Sequence, residues 1–206
     1  MTIDLSDYES GDKYDGDYDE ALKALQDRLA HVHFKHIIHG SRSILVFEGW
    51  DAAGKGGAIR RMTGEWDPRY FDVWPIGAPT REEKDRHFLW RFWQKLPGSR
   101  ELFFHTTQEE QDERLAKRLD TPHKRWKITA EDFRNREKRD EYLEAIHDMF
   151  ENTDTRWAPW KVIDGNDKKS ARIAAMTHVA ETLEAALPKD LPEADPELVK
   201  LAEKAF

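Results

Sequence analysis

ILVFEGWDAAGKGG (residues 44–57) is the stretch on which the fold turns. Ile44, Leu45, Val46 and Phe47 form an unbroken apolar run, the pattern of a strand buried on both faces. The run ends at Gly49, and Gly49-x-x-x-x-Gly54-Lys55 follows it, with a helix predicted over residues 55–65. Strand, glycine bend and helix in that order form a loop whose backbone N–H groups curl around phosphate oxygens. Gly49, Ala52, Ala53, Gly54, Gly56 and Gly57 are therefore candidate phosphate-binding residues. Lys55 adds a mobile full charge and the helix N-terminus a partial one, so Lys55 is a candidate catalytic residue. A glycine-rich turn without a ligand is the competing account, and the lysine at this spacing argues against it. Gly56 stands where such loops usually carry a magnesium-binding hydroxyl. Asp51 offers a carboxylate instead, and an acid inside an anion-binding loop makes sense when a cation lies between the two. Asp51 is accordingly the candidate metal ligand, with Mg2+ as the cofactor, and a candidate catalytic residue.

Upstream, residues 1–18 are polar and aperiodic and read as a flexible arm. Residues 19–33 carry Leu22, Leu25, Leu29 and Val32 at helical spacing. Downstream, a short strand is expected at residues 71–75, then a helix over residues 80–96 opened by Thr80 with Glu83 three positions on. Leu102-Phe103-Phe104 reads as a third strand and residue 107 as the start of another helix. Residues 114–148 are highly charged but keep a helical pattern that continues to Phe150. Residues 160–163 read as the last strand and residues 173–187 as a closing helix. A loosely attached tail over residues 188–206 ends in a short helix at 198–205. Alternating strands and helices imply an α/β fold with a parallel sheet between helices in three layers, as in P-loop kinases.

Composition bounds the function. The chain has 206 residues, enough for one ordinary domain at residues 19–187, and eight tryptophans to fill its core. A formal net charge of −8 argues against broad nucleic-acid binding, although a basic cleft on an acidic protein still attracts a polyanion. The absence of cysteine and of any long apolar run or basic-apolar leader points to a cytoplasmic protein with no membrane span.

Five segments, FEGWDAAGKGGAIRR (47–61), PIGAPTREEK (75–84), LWRFWQKLPG (89–98), RWKITAEDFRNREKRDEY (125–142) and WAPWKVIDGNDKKSAR (157–172), occur in the order of one family. Together they make the chain resemble the polyphosphate kinase 2 family, whose members move phosphate between inorganic polyphosphate and nucleotides on a thymidylate-kinase-like fold. The resemblance implies a helical lid at about residues 114–140, closing over phosphates with Lys124 and Lys127. It is closer to the branch that phosphorylates AMP to ADP than to the one that converts ADP to ATP, with adenine or guanine nucleotides as partners. Arg60, Arg61, Arg81, Arg91 and Arg118 are further cations for a polyanion. Arg60 and Arg118 are assigned to phosphate, and Arg81, Arg91 and Asn166 to the nucleotide. Each arginine alone reads more readily as a surface or ion-pair residue than as a ligand, and Asn166 or Asp167 equally as a helix cap. The Leu-rich first helix makes a homo-oligomer plausible. His31, His33, His36 and His39 lack interleaved acids and are read as a partly buried connection rather than a metal site.

One departure stands out. Family members carry, after the segment resembling LPGSR, a strand ending in Asp-Arg-Ser-Trp-Tyr and a long helical stretch. Here Arg100 runs directly into Glu101. The missing aspartate would be a second magnesium ligand, and the missing strand leaves a gap beside residues 44–49. A catalytically impaired phosphate-binding protein is therefore the alternative to an active kinase.

Overall fold

The computed structural model describes residues 3–93, 99–125, 128, 130–193 and 195–205, with the backbone alone at residues 99–103, 123–124, 130–131, 198 and 204–205. Three parallel strands form one sheet in the order β1 (Ile44–Gly49), β2 (Ser99–His105), β3 (Trp160–Asp164). Phe47 lies opposite Leu102, and Phe104 opposite Ile163. Helices α1 (Tyr18–Ile38), α2 (Lys55–Met62) and α9 (Lys168–Ala185) pack on one another, and α9 also packs on β3. Their contact is made by Leu29, Val32, Ala58, Met62, Met176 and Val179, none more than 1% exposed. The result is an α/β fold with a parallel sheet flanked by helices. Among the described residues no helix is long and apolar enough to cross a membrane.

Between β1 and β2 lie two single-turn helices, α3 (Arg81–Lys84) and α4 (Trp90–Trp93). Thr80 and Glu83 form the expected capping box on α3, but the long helix predicted from residue 80 is broken after one turn. From β2 the chain runs through α5 (Gln108–Asp120), α6 (Pro122–Arg125), α7 (Ala130–Glu137) and α8 (Arg139–Thr153) to β3. A last helix, α10 (Pro196–Ala205), follows α9.

Three expectations fail for physical reasons. Residues 71–75 form no strand, and Val73 and Trp74 are each 54% exposed. A strand needs a neighbour to take its backbone bonds, and among the described residues no strand pairs with this stretch. For the same reason Ile44, Leu45, Val46 and Phe47 are half-buried rather than buried, because among the described residues only β2 pairs with β1. The stretch expected as a flexible arm instead lies against the body. Leu5 in the short 3-10 helix Leu5–Tyr8 is buried, Gly11 N–H donates to Asp164 (2.8 Å), and Ser170 Oγ donates to the Asp12 carbonyl (2.7 Å).

Candidate phosphate site

The bend between β1 and α2 is built on two glycines. Gly49 has φ +127°, and a Cβ there would overlap the Phe104 carbonyl oxygen and stand 2.9 Å from the Phe104 nitrogen. Glycine is what lets the end of β1 press against β2. Gly54, the residue that caps α2, has φ +118° and turns the chain into the helix. Between them Ala52 has φ +63°, the one positive value for a residue other than glycine among the described residues. Such a conformation costs about 1–2 kcal/mol, so surrounding contacts must hold it.

Those contacts come chiefly from Arg114 on α5, which is 4% exposed. Its Nη1 donates to the carbonyls of Ala52 (3.1 Å) and Ala53 (3.0 Å), and its Nη2 to those of Gly165 (2.6 Å) and Asn166 (3.1 Å). Nε donates to Glu110 (2.5 Å). Burial lowers its pKa and the Glu110 carboxylate pulls it back, which leaves an arginine charged. Arg114 escaped the sequence reading because it lies in a run of charges that looks solvated. Its only signal was its place i+4 from Glu110 and one before the buried Leu115.

Lys55 bends back over the loop, donating to the Gly49 carbonyl and to the Trp50 carbonyl (3.0 Å). Burial lowers its pKa, opposed by Glu48 and Asp51 and reinforced by Arg118. The two carboxylates and Arg118 therefore share the field of the Lys55 ammonium. Asp51 Oδ2 accepts from Asn135 Nδ2 on α7 (2.9 Å), a partner that sequence reading did not single out. Tyr142 on α8 donates to Glu48 (3.4 Å), and burial with these acids pushes its pKa up to about 12.

Trp50 is 3% exposed and donates to His105 Nδ1 (3.1 Å), so the proton of His105 sits on Nε2 and is donated to Glu9 (2.8 Å). Burial lowers the His105 pKa, consistent with a neutral ring. The Arg139 guanidinium stacks 3.9 Å over the Trp50 ring and donates to Gln111 and the Thr106 carbonyl. The loop is thus gripped from the N-terminal segment, from α5 and from α8.

The remaining candidates divide. Gly56 is exposed and Gly57 half-buried at the start of α2, and Arg60 is exposed along it. Asn166 Oδ1 accepts from the Thr107 N–H (3.0 Å), tying the turn after β3 to the start of α5, while Asp167 caps α9. Arg91 is drawn into local bonds with the Gly77 carbonyl (2.9 Å) and Glu83 (3.4 Å), and Arg81 is exposed on α3. Lys127 lies outside the described residues, as does the side chain of Lys124. His33 stacks on Trp66 at 4.8 Å and His36 bonds Ser43 (2.9 Å). Among the described residues no group of three or more His, Asp or Glu side chains is arranged to hold a metal. A magnesium ion bound through one carboxylate and the phosphates themselves needs no such group, and the Asp51 carboxylate is an oxygen donor of the right chemistry.

A family model for polyphosphate kinase 2 matches residues 12–104 and again 100–191, so that both matches include residues 100–104 of β2. The polyphosphate:AMP phosphotransferase of Pseudomonas aeruginosa is 34% identical over 238 positions, covering 92% of this chain and 47% of the relative. Because the chain has 206 residues, at least 32 of those positions have no counterpart in it. ADP-polyphosphate phosphotransferase 3 of Rhizobium meliloti is 28% identical, covering 82% of this chain and 76% of the relative. The solved structure of polyphosphate kinase 2 from Arthrobacter aurescens TC1 superposes with a TM-score of 0.86 at 27% identity, covering 99% of this chain and 94% of that one. The chain spans about half the length of several curated relatives it matches.

Proposed function

The chain belongs to the polyphosphate kinase 2 family, and from that membership we propose that it transfers a phosphoryl group between inorganic polyphosphate and a nucleotide, AMP to ADP in preference to ADP to ATP. The observation that carries the reading is the bend at residues 49–57, where Gly49, Ala52 and Gly54 all have positive φ and Lys55 folds over the same turn. Phosphoryl transfer asks a protein chiefly for positioning and charge neutralisation. In this reading Lys55 leaves the loop carbonyls for the phosphate oxygens, and the loop amides grip the same group. Arg118 adds charge beside Lys55, and Lys124 and Lys127 close from a lid at about residues 114–140. Asp51 would hold Mg2+, which neutralises phosphate charge when bound. The nucleotide would be met by Arg81, Arg91 and Asn166. A thymidylate-kinase-like arrangement, a cytoplasmic location and a homo-oligomer belong to the same proposal.

A second reading has its own support. At least 32 positions of the Pseudomonas relative are absent here, and β1 has no described partner on its outer side. A protein lacking the Asp-Arg-Ser-Trp-Tyr block would bind polyphosphate without turning it over. The two part company when AMP or ADP is incubated with polyphosphate and Mg2+ and the nucleotides are separated by ion exchange. ADP or ATP formed by the unsubstituted protein, and reduced about a hundredfold in Lys55→Ala, supports the kinase. Magnesium-dependent binding with no product supports the second reading, and product from ATP alone as donor overturns both.

A further inference from the structure

Arg114 has more to do than fill the space behind the loop. All five of its donor bonds go to acceptors, and four of those are main-chain carbonyls drawn from two turns, residues 52–53 and 165–166. In a trans peptide the C=O and N–H point opposite ways, so a guanidinium holding the Ala53 carbonyl turns the Gly54 N–H away from itself. The same fork holds the carbonyl of Ala52, whose left-handed φ of +63° no alanine adopts without support. Planar and rigid, a guanidinium can satisfy several carbonyls at fixed angles, which the single ammonium of a lysine cannot.

We propose that Arg114 is a positioning residue that keeps the loop in its phosphate-receiving shape by holding the Ala52 and Ala53 carbonyls, and that it locks this loop to the turn at Gly165 and Asn166. The proposal builds on the reading of residues 49–57 as a phosphate site. Arg114 itself touches no phosphate; it acts through the backbone of Ala52 and Ala53. Glu110 completes the device by occupying Nε and compensating the buried charge.

Amide hydrogen exchange of the free protein tests this without any ligand. Arg114→Lys is expected to speed exchange about tenfold at Ala53, whose N–H donates to the Trp50 carbonyl (3.2 Å), while Val162, Ile163 and Met176 exchange at their former rates. Adding Ala52→Gly to that variant relieves the left-handed strain and is expected to slow exchange at least threefold again. If Arg114→Lys does not fold, Glu110→Gln, which loosens the guanidinium without removing it, is measured in the same two backgrounds. Unchanged exchange at Ala53, acceleration spread equally over the core, or no response to Ala52→Gly overturns the proposal. Magnesium tripolyphosphate is titrated in parallel, with an expected tenfold loss of affinity in Arg114→Lys. Should none of these proteins bind it while exchange behaves as expected, the phosphate reading fails and the assignment of Arg114 stands.

Discussion

At the scale of single residues the loop is governed by burial acting on charges. Trp50 holds the Nδ1 of His105 and Glu9 holds its Nε2–H, so the ring is fixed as one neutral tautomer, and burial lowers its pKa. A histidine whose folded value lies below its unfolded value near 6.5 contributes stability that is complete above that pH and is lost as pH falls through the folded value. The melting temperature is therefore expected to fall between about pH 7.5 and about pH 5, and His105→Gln should fall less. Burial shifts His33 and His36 the same way, so the slope should be reduced and not abolished. Equal slopes in the two proteins would contradict the neutral His105. Asp51 poses a separate question of partner, since Asn135 binds its Oδ2. Asn135→Ala is expected to change the magnesium concentration that half-saturates tripolyphosphate binding by a few-fold, measured by calorimetry at fixed tripolyphosphate.

Elements are where the sequence was most and least legible. β1, β3, α1 and α9 followed from apolar runs or helical spacing, because those patterns report which side of an element meets the core. The glycine bend was legible for a related reason: its residue types answer to local backbone geometry. Gly49→Ala should accordingly destabilise the protein by about 3 kcal/mol or more, read as a lower denaturant midpoint, because the added Cβ meets the fixed backbone of Phe104. A change below about 0.5 kcal/mol would show that β2 can move aside. Residues 71–75 were misread because strand pattern alone cannot say whether a neighbour exists. Arg114 was missed because a charged helix looks solvated until the turns it reaches are known. Of the eight tryptophans expected to fill the core, Trp157 is 76% exposed under Arg156, while Trp160 packs on Phe150.

Across the whole molecule, stability and the candidate site have different sources. The packing of α1, α2 and α9 holds the body together, and Leu29, fully buried among them, is expected to cost about 2–5 kcal/mol when cut to alanine. Chemical denaturation followed by tryptophan fluorescence measures that loss, and a cost under about 1 kcal/mol would mean the cluster is not the core. Among the described residues the sheet has three strands, with the twice-matched β2 beside β1. The bend meets β2 directly, through Gly49 against Phe104 and Trp50 against His105, and is held further from α5, α8 and the N-terminal segment. The proposed activity depends above all on this bend holding phosphate through Lys55. Calorimetric titration of magnesium tripolyphosphate into the unsubstituted protein and into Lys55→Ala tests it most directly. Binding that weakens at least about tenfold without Lys55 is the predicted result, and equal affinity in the two proteins, or none in either, would contradict it.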